Sequence, residues 1–364
     1  MMPLHPAGRN AWETLAEDRE AVLLADRLGF DEAFVGEHVT DLAENVTSSM
    51  MFLASVAHET RRIKLGTGTI NMPNSHPANV AAQAAMLDHM LQGRFIMGIS
   101  PGGLMSDAEV FGNFQKDRNA IFLESINMVL DIWKGKPPYD LHGEYFKVST
   151  ARTMMPEIGQ GAILKPFQAP HPPIVVTAVA PHSRGVTEAA KRGWTPISAN
   201  FLLPKWVASH WPRYVEGCEA VGNTARTEDW RVAKCIFVAD DEATAQRYGK
   251  SPEGPYHFYF KQLLRKLVTG GRSNLFKDDQ NAPDDGITAE SVTDRLVIAG
   301  TVDSVVEQLL AFREETGDFG TLLYACMDWQ DKALGQRSMQ LLAEQVMPRL
   351  NQAIDASAPM RRAA

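Results

Sequence analysis

The chain has 364 residues, 45% of them hydrophobic, and a formal net charge of −8. That is ample for a large packed core, while the acidic balance, with no basic cluster longer than Arg61-Arg62, excludes a broad nucleic-acid footprint. Cys218, Cys235 and Cys326 stand far apart without a CxxC, no run of about 18 apolar residues occurs, and MMPLHPAGRN lacks the basic start and apolar core of a signal peptide. These features exclude a disulfide framework, a zinc ribbon and a membrane span, and they suit a reducing, cytoplasmic setting.

In chain order, apolar residues at helical spacing predict a helix over 12–28, closed by Gly29. A strand follows at 32–35 (EAFV), a helix at 48–58, a strand at 63–67 (IKLGT) and an Ala-rich helix at 77–91. FIMGI at 95–99 reads as a strand and 121–133 as a helix. Residues 136–170 break the rhythm with prolines, glycines and a hairpin around YDLHGEYFKV. The alternation resumes with strands at 173–178, 194–198 and 231–239 and helices at 185–192 and 205–221. A second irregular block covers 249–291, before a helix at 304–315, a strand at 320–326 and a last helix at 332–350.

Repeated strand–helix units imply parallel strands. Seven strands are counted, and the eighth needed to close a barrel is sought at the start, where only MMPL precedes the first helix. The reading is a single-domain (β/α)8 barrel over 1–364, an α/β TIM barrel with insertions whose first strand is short or truncated. An open doubly wound sheet is the other arrangement, and it would carry a Gly-rich turn after its first strand.

A barrel places its chemistry at the C-terminal strand ends. Glu37 and His38 follow the strand at 32–35; Gly68, Thr69, Asn71 and His76 the next; Ser100, Pro101, Gly102 and Gly103 the one after. Ala178, His182, Ser183 and Arg184 follow the strand at 173–178, and Met327, Asp328 and Trp329 the last. SPGG at 100–103 offers free backbone N–H groups, and APHSRG at 180–185 joins a hydroxyl and an arginine at a helix start. Such a start is either an ordinary cap or an anion site. GTGTIN and GISPGG are not GxGxxG, and GxSxG, the P-loop pattern, HxH and HExxH are absent, so no dinucleotide fold, nucleophile elbow or metal site is expected.

The segment RRIKLGTGTINMPNSHPANVAAQAAMLDHMLQGRFIMGISPGG at 61–103 resembles the signature region of bacterial luciferase-like flavin monooxygenases. DRLGFDEAFVGEHVTDLAENV, QAPHPPIVVTA and VIAGTVDSVVEQL extend the resemblance in order along most of the chain. The limonene-monooxygenase-like and diketocamphane-monooxygenase-like subgroup is the most similar.

The resemblance implies a two-component enzyme that takes reduced FMN (FMNH2) from a separate flavin reductase. A flavin C4a-peroxide formed with O2 would then oxygenate a small apolar substrate, a terpenoid or cyclic ketone. His38 matches the active-site histidine, as hydrogen-bond donor to the oxygen species or as acid/base, and Glu37 either orients it or serves as an ion-pair partner. Gly68 and Thr69 match the site of a non-prolyl cis peptide against the flavin ring. Ser100, Gly102 and Gly103 match the wall beside the ring and ribityl chain. Ala178, His182, Ser183 and Arg184 match the phosphate end, with Arg118 as a further phosphate candidate. Pro101 departs from the basic residue of the luciferases, which speaks against light emission. The 249–291 block, with Tyr256, Phe258, Tyr259 and Phe260, is expected either to close over substrate as a lid or to form a structured loop. A homodimer is expected through the Ala-rich 78–90 face. The alternatives are an F420-dependent hydride-transfer enzyme of the same fold and a non-catalytic flavin binder.

Overall fold

Short apolar runs, too short for helices and each followed by an amphipathic stretch, form parallel strands in the computed structural model, which describes residues 4–361. The chain divides into two compact units, one centred on 31–177 and one on 178–364, the latter joined by residues 16–30 and the N-terminal segment to Arg9.

The 31–177 unit holds β1 (Glu32–Val35), β2 (Lys64–Thr67), β3 (Ile70–Asn71), β4 (Phe95–Ser100), the antiparallel hairpin β5 (Asp140–His142) and β6 (Lys147–Ser149), and most of β7 (Ile174–Ala178). β1 pairs with β2 (Val35 opposite Thr67), β2 with β4 (Leu65 opposite Phe95), and β4 with β3 and β7, all parallel. Parallel pairing brings the carboxyl ends of β1, β2 and β4 to one edge, where Glu37, Gly68 and Gly102 follow. Gly98 lets β4 approach β2 closely: a Cβ there would sit 1.9 Å from the Thr67 carbonyl oxygen. The Thr67 hydroxyl instead donates to the Gly98 carbonyl at 2.8 Å and accepts from its N–H at 2.9 Å.

The helix Pro77–Leu91 begins with Pro at its first position, where no N–H partner is needed. His76 caps it, its Nδ1 accepting from Ala78 N at 3.3 Å, so this histidine serves the helix start. Val80, Ala81, Ala84 and Ala85 are fully buried, and Trp133 of the helix Arg118–Lys134 donates to the Ala81 carbonyl at 3.1 Å. The Ala-rich face expected to meet a second copy is therefore covered within the unit.

The second unit holds β8 (Thr195–Ser198), β9 (Arg231–Val238), β10 (Val297–Gly300) and β11 (Thr321–Ala325). β9 pairs in parallel with all three: Ile197 opposite Arg231, Ala325 opposite Cys235, and Gly300 opposite Val238. Trp230, Val232, Ile236 and Val238 pack with Val305, Leu309 and Phe312 of the helix Val302–Thr316 in one buried cluster.

Three expectations change. The seven-strand count omitted β3 and β10, whose two and four buried residues are too few to show a period. The short first strand sought at Met1–Leu4 falls almost wholly outside the described residues; Leu4 is buried and not in a strand. The single helix over 205–221 is two, Pro204–Ala208 and His210–Glu219, broken at Ser209, whose hydroxyl donates to the Trp206 carbonyl at 2.6 Å. The 249–291 block is largely ordered, with the 15-residue helix Pro255–Thr269 and the start of the helix Ala289–Leu296. Its Tyr256, Tyr259 and Phe260 are buried, and the Tyr256 hydroxyl donates to the Ile236 carbonyl. No described helix is long and apolar enough to cross a membrane.

Candidate active site

In the 31–177 unit, the segment after β1 is built around two carboxylates. Glu37 accepts from Ser49 N (3.0 Å), Ser49 Oγ (2.7 Å) and Asn71 N (3.1 Å). Three donors fix it as a structural link between the β1 end, the helix Ser49–Val56 and β3. The partner that holds His38 is a residue not singled out in the sequence: Asp107, 3% exposed, whose Oδ2 lies 2.9 Å from His38 Nδ1. Its other oxygen accepts from Val39 N (3.2 Å), Thr40 N (2.9 Å) and Thr40 Oγ1 (2.6 Å). Burial pushes the Asp107 carboxyl up, but the His38 and Thr40 hydrogen bonds outweigh it and hold the group below its ordinary value. With Nδ1 donating to a carboxylate, the other ring nitrogen, 3.5 Å from Glu44 Oε2, is the one able to exchange a proton. His38 is thus the residue of this edge best placed for acid–base work.

The residues after β2 and β4 form one hydrogen-bonded chain. Thr69 Oγ1 donates to Ser100 Oγ at 2.7 Å, Ser100 donates to Asn71 Oδ1 at 3.0 Å, and Asn71 Nδ2 donates to the Glu37 carbonyl at 3.1 Å. Gly102 N donates to Ser100 Oγ at 3.2 Å. The Gly68–Thr69 peptide is cis, at the place the resemblance marked. Gly102 has φ +80°, a left-handed backbone that favours glycine, and a Cβ on Gly103 would meet open space. Arg118 donates to the Gly102 carbonyl at 3.0 Å. Glu37, Thr69, Ser100 and Gly102 therefore belong to one network, with Asn71 at its centre. A surface of glycine backbone and neutral hydroxyls suits a flat, uncharged ring system.

In the second unit, the turn after β7 is held from outside. His210 Nε2 donates to the Ala180 carbonyl at 2.8 Å, Arg272 Nη2 to the Val179 carbonyl at 2.5 Å, and the His182 N–H to Ser209 Oγ at 2.9 Å. His182 itself has φ +50°, and its exposed ring packs edge-on against Trp206. His210 is buried, so desolvation drops its pKa to about 4; it is neutral, and its Nδ1 accepts from the Ser198 hydroxyl at 2.8 Å. Ser183 is the N-cap of the helix Arg184–Lys191, yet its hydroxyl does not cap that helix. Arg184 is exposed. Unengaged cationic and hydroxyl groups suit an anion such as a phosphate.

One titratable cluster lies apart from these. His5 Nδ1 is 2.5 Å from Asp328 Oδ1 and Nε2 3.2 Å from Asp18 Oδ1, all three buried. Burial lowers the His5 pKa, but the two acids outweigh it and raise it to about 9. His5, Glu17 and Asp328 are grouped closely enough for a metal ion, but Arg9 donates to both Glu17 and Asp328. A guanidinium already supplies the positive charge there, so the cluster is an ion-pair knot. Asp328, expected at a binding mouth, anchors the N-terminal segment instead.

Known proteins resemble this chain along nearly its whole length. The family model described as luciferase-like monooxygenase matches residues 2–318. The chain is 31% identical to 4-hydroxyprotoasukamycin monooxygenase of Streptomyces nodosus subsp. asukaensis, covering 98% of this chain and 92% of that protein. It is 28% identical to limonene 1,2-monooxygenase of Rhodococcus erythropolis, covering 96% and 85%. Among solved structures, the oxygenating constituent of 3,6-diketocamphane monooxygenase from Pseudomonas putida, a type II Baeyer–Villiger monooxygenase in complex with FMN, superposes with a TM-score of 0.86. It is 26% identical and 96% of each chain is covered.

Proposed function

We propose, from the premise that this chain belongs to the luciferase-like monooxygenase family, that it is the oxygenase of a two-component system. It takes reduced FMN from a separate flavin reductase and, with O2, oxygenates a small apolar substrate of the terpenoid or cyclic-ketone class. The FMN-bound relative, described as an oxygenating constituent, supports the division of labour. The three described cysteines are free and buried, which suits a cytoplasmic setting. A homodimer would use the helices Ser49–Val56 and Pro77–Leu91 through exposed Met51 and Met86 rather than the covered alanines.

The observation that carries the reading is the Glu37–Asn71–Ser100–Thr69 network with His38 held by Asp107 at its edge. Bound reduced flavin supplies the electrons that activate O2. On this reading Gly68, Thr69, Ser100, Gly102 and Gly103 line the ring and ribityl chain, and Ala178, His182, Ser183 and Arg184 receive the phosphate. Asp107 fixes the His38 ring, so that Nε2 donates to or accepts from the reacting oxygen at a fixed position. Glu37 holds the wall together and does not itself move a proton.

The test is turnover of a panel of cyclic ketones and terpenes with photoreduced FMN and O2, without a reductase. Oxygenated product that depends on FMNH2 is the expected result. Tight binding of reduced F420 with no oxygen-dependent product would replace this reading with hydride transfer.

A further inference from the structure

The 249–291 block contributes one group that no motif marked. Arg272 is half-buried just before the short turn Ser273–Phe276, and its guanidinium donates to the Val179 carbonyl at 2.5 Å. That carbonyl belongs to the residue after Ala178, in the turn that leads to His182, Ser183 and Arg184. Among the described residues no carboxylate pairs with Arg272. By contrast, Lys277 of the same block pairs with Asp284, and Arg295 and Lys205, both outside it, pair with Asp278. Among the described residues Arg94, another arginine that serves backbone carbonyls, makes at least four hydrogen bonds; the Arg272 guanidinium makes one, although it carries five N–H donors. Burial alone perturbs Arg272, lowering its pKa with nothing on the protein to offset it. A partly desolvated cation with free donors calls for an anion.

The same block braces that turn by a second route. Trp206 Nε1 donates to the Lys277 carbonyl at 3.2 Å, and the Trp206 ring lies against His182 with centroids 6.1 Å apart. The 272–278 stretch therefore touches the turn both directly, through Arg272, and through Trp206.

We propose that Arg272 is a phosphate ligand of the flavin, supplied by the 249–291 block to the Ser183–Arg184 end of the site. This rests on the reduced-FMN reading above. It gives the block the task of gripping the cofactor's phosphate rather than closing over substrate, and it makes the protein select FMN over flavins that lack a phosphate.

Fluorescence titration with oxidised FMN and riboflavin, which differ by the phosphate alone, tests it. The wild-type protein binds FMN at least tenfold more tightly than riboflavin. R272Q keeps a donor for the Val179 carbonyl but loses the charge. It weakens FMN by about tenfold to a hundredfold, the range of a charge-assisted hydrogen bond, and leaves riboflavin unchanged. R272A behaves likewise, and added guanidinium ion restores its FMN affinity but not its riboflavin affinity; should R272Q not fold, this rescue decides. An unchanged FMN-to-riboflavin ratio in the variants, an equal loss for both flavins, or absent rescue overturns the role of Arg272. Equal wild-type affinity for the two flavins removes the phosphate site altogether. Failure of the wild type to bind either flavin removes the parent reading, which separates the two failures.

Discussion

The polar groups after β1, β2 and β4 are engaged with one another, whereas those after β7 are not. Glu37 and Asp107 accept from three and four donors, and Ser100 is bonded on three sides. In the turn after β7 only the backbone is secured; Ser183, Arg184 and most of the Arg272 guanidinium keep their donors open. A saturated network fixes geometry before any ligand arrives, which suits a wall and a proton-handling group. Open cationic donors gain partners only when a ligand arrives, which suits a phosphate.

Removing His38 probes the one group at the saturated edge with a proton to exchange. H38A is expected to lower oxygenation by about a hundredfold or more, the usual contribution of a positioned acid or base, with FMN affinity nearly unchanged. Single-turnover rates with preloaded FMNH2 check this, and an unaltered rate would take His38 out of the chemistry. D107A should cost about 1–3 kcal/mol of stability, because it removes the buried acceptor that the Val39, Thr40 and His38 donors share. Urea unfolding measures it, and a loss confined to turnover would mean the carboxylate is not holding the loop.

E37Q distinguishes a holder from an orienter. Its amide can accept at only one oxygen, so a loss of about 1–2 kcal/mol with turnover within severalfold of wild type is expected. A large fall in turnover at unchanged stability would make Glu37 part of the proton path.

The remaining effects are in pH dependence, both in the second unit. The His210 pKa is depressed to about 4, so its stabilising contribution is present above pH 6.5 and fades as pH falls toward 4. The His5 pKa is raised to about 9, so its contribution is full below pH 6.5 and is lost as pH rises through 9. In denaturation series across pH, H210Q should flatten the acid limb and H5Q the alkaline limb. Parallel curves for variant and wild type would show that these histidines do not titrate as their surroundings imply.

Much of the architecture was legible before any coordinates. Alternating short apolar runs and helical periods marked β1, β2, β4, β7, β8, β9 and β11, and a glycine- or polar-rich segment followed each. β10 escaped because four fully buried residues show no alternation. The cis peptide at Gly68–Thr69 was locatable only through the family resemblance.

The sequence by itself determined where strands stop, and so that GEH, GT and SPGG would meet at one edge of a parallel sheet. Pattern and spacing act over a few residues, and a parallel register carries them to a common end. Only the tertiary structure decided which carboxylate holds His38, since Asp107 lies 69 residues away, and which cation reaches the turn after Ala178, since Arg272 lies 93 residues from Val179. Periodicity reports which face of an element is buried. It carries no information on which polar side chain from a distant element will meet it there, because that choice is made by packing.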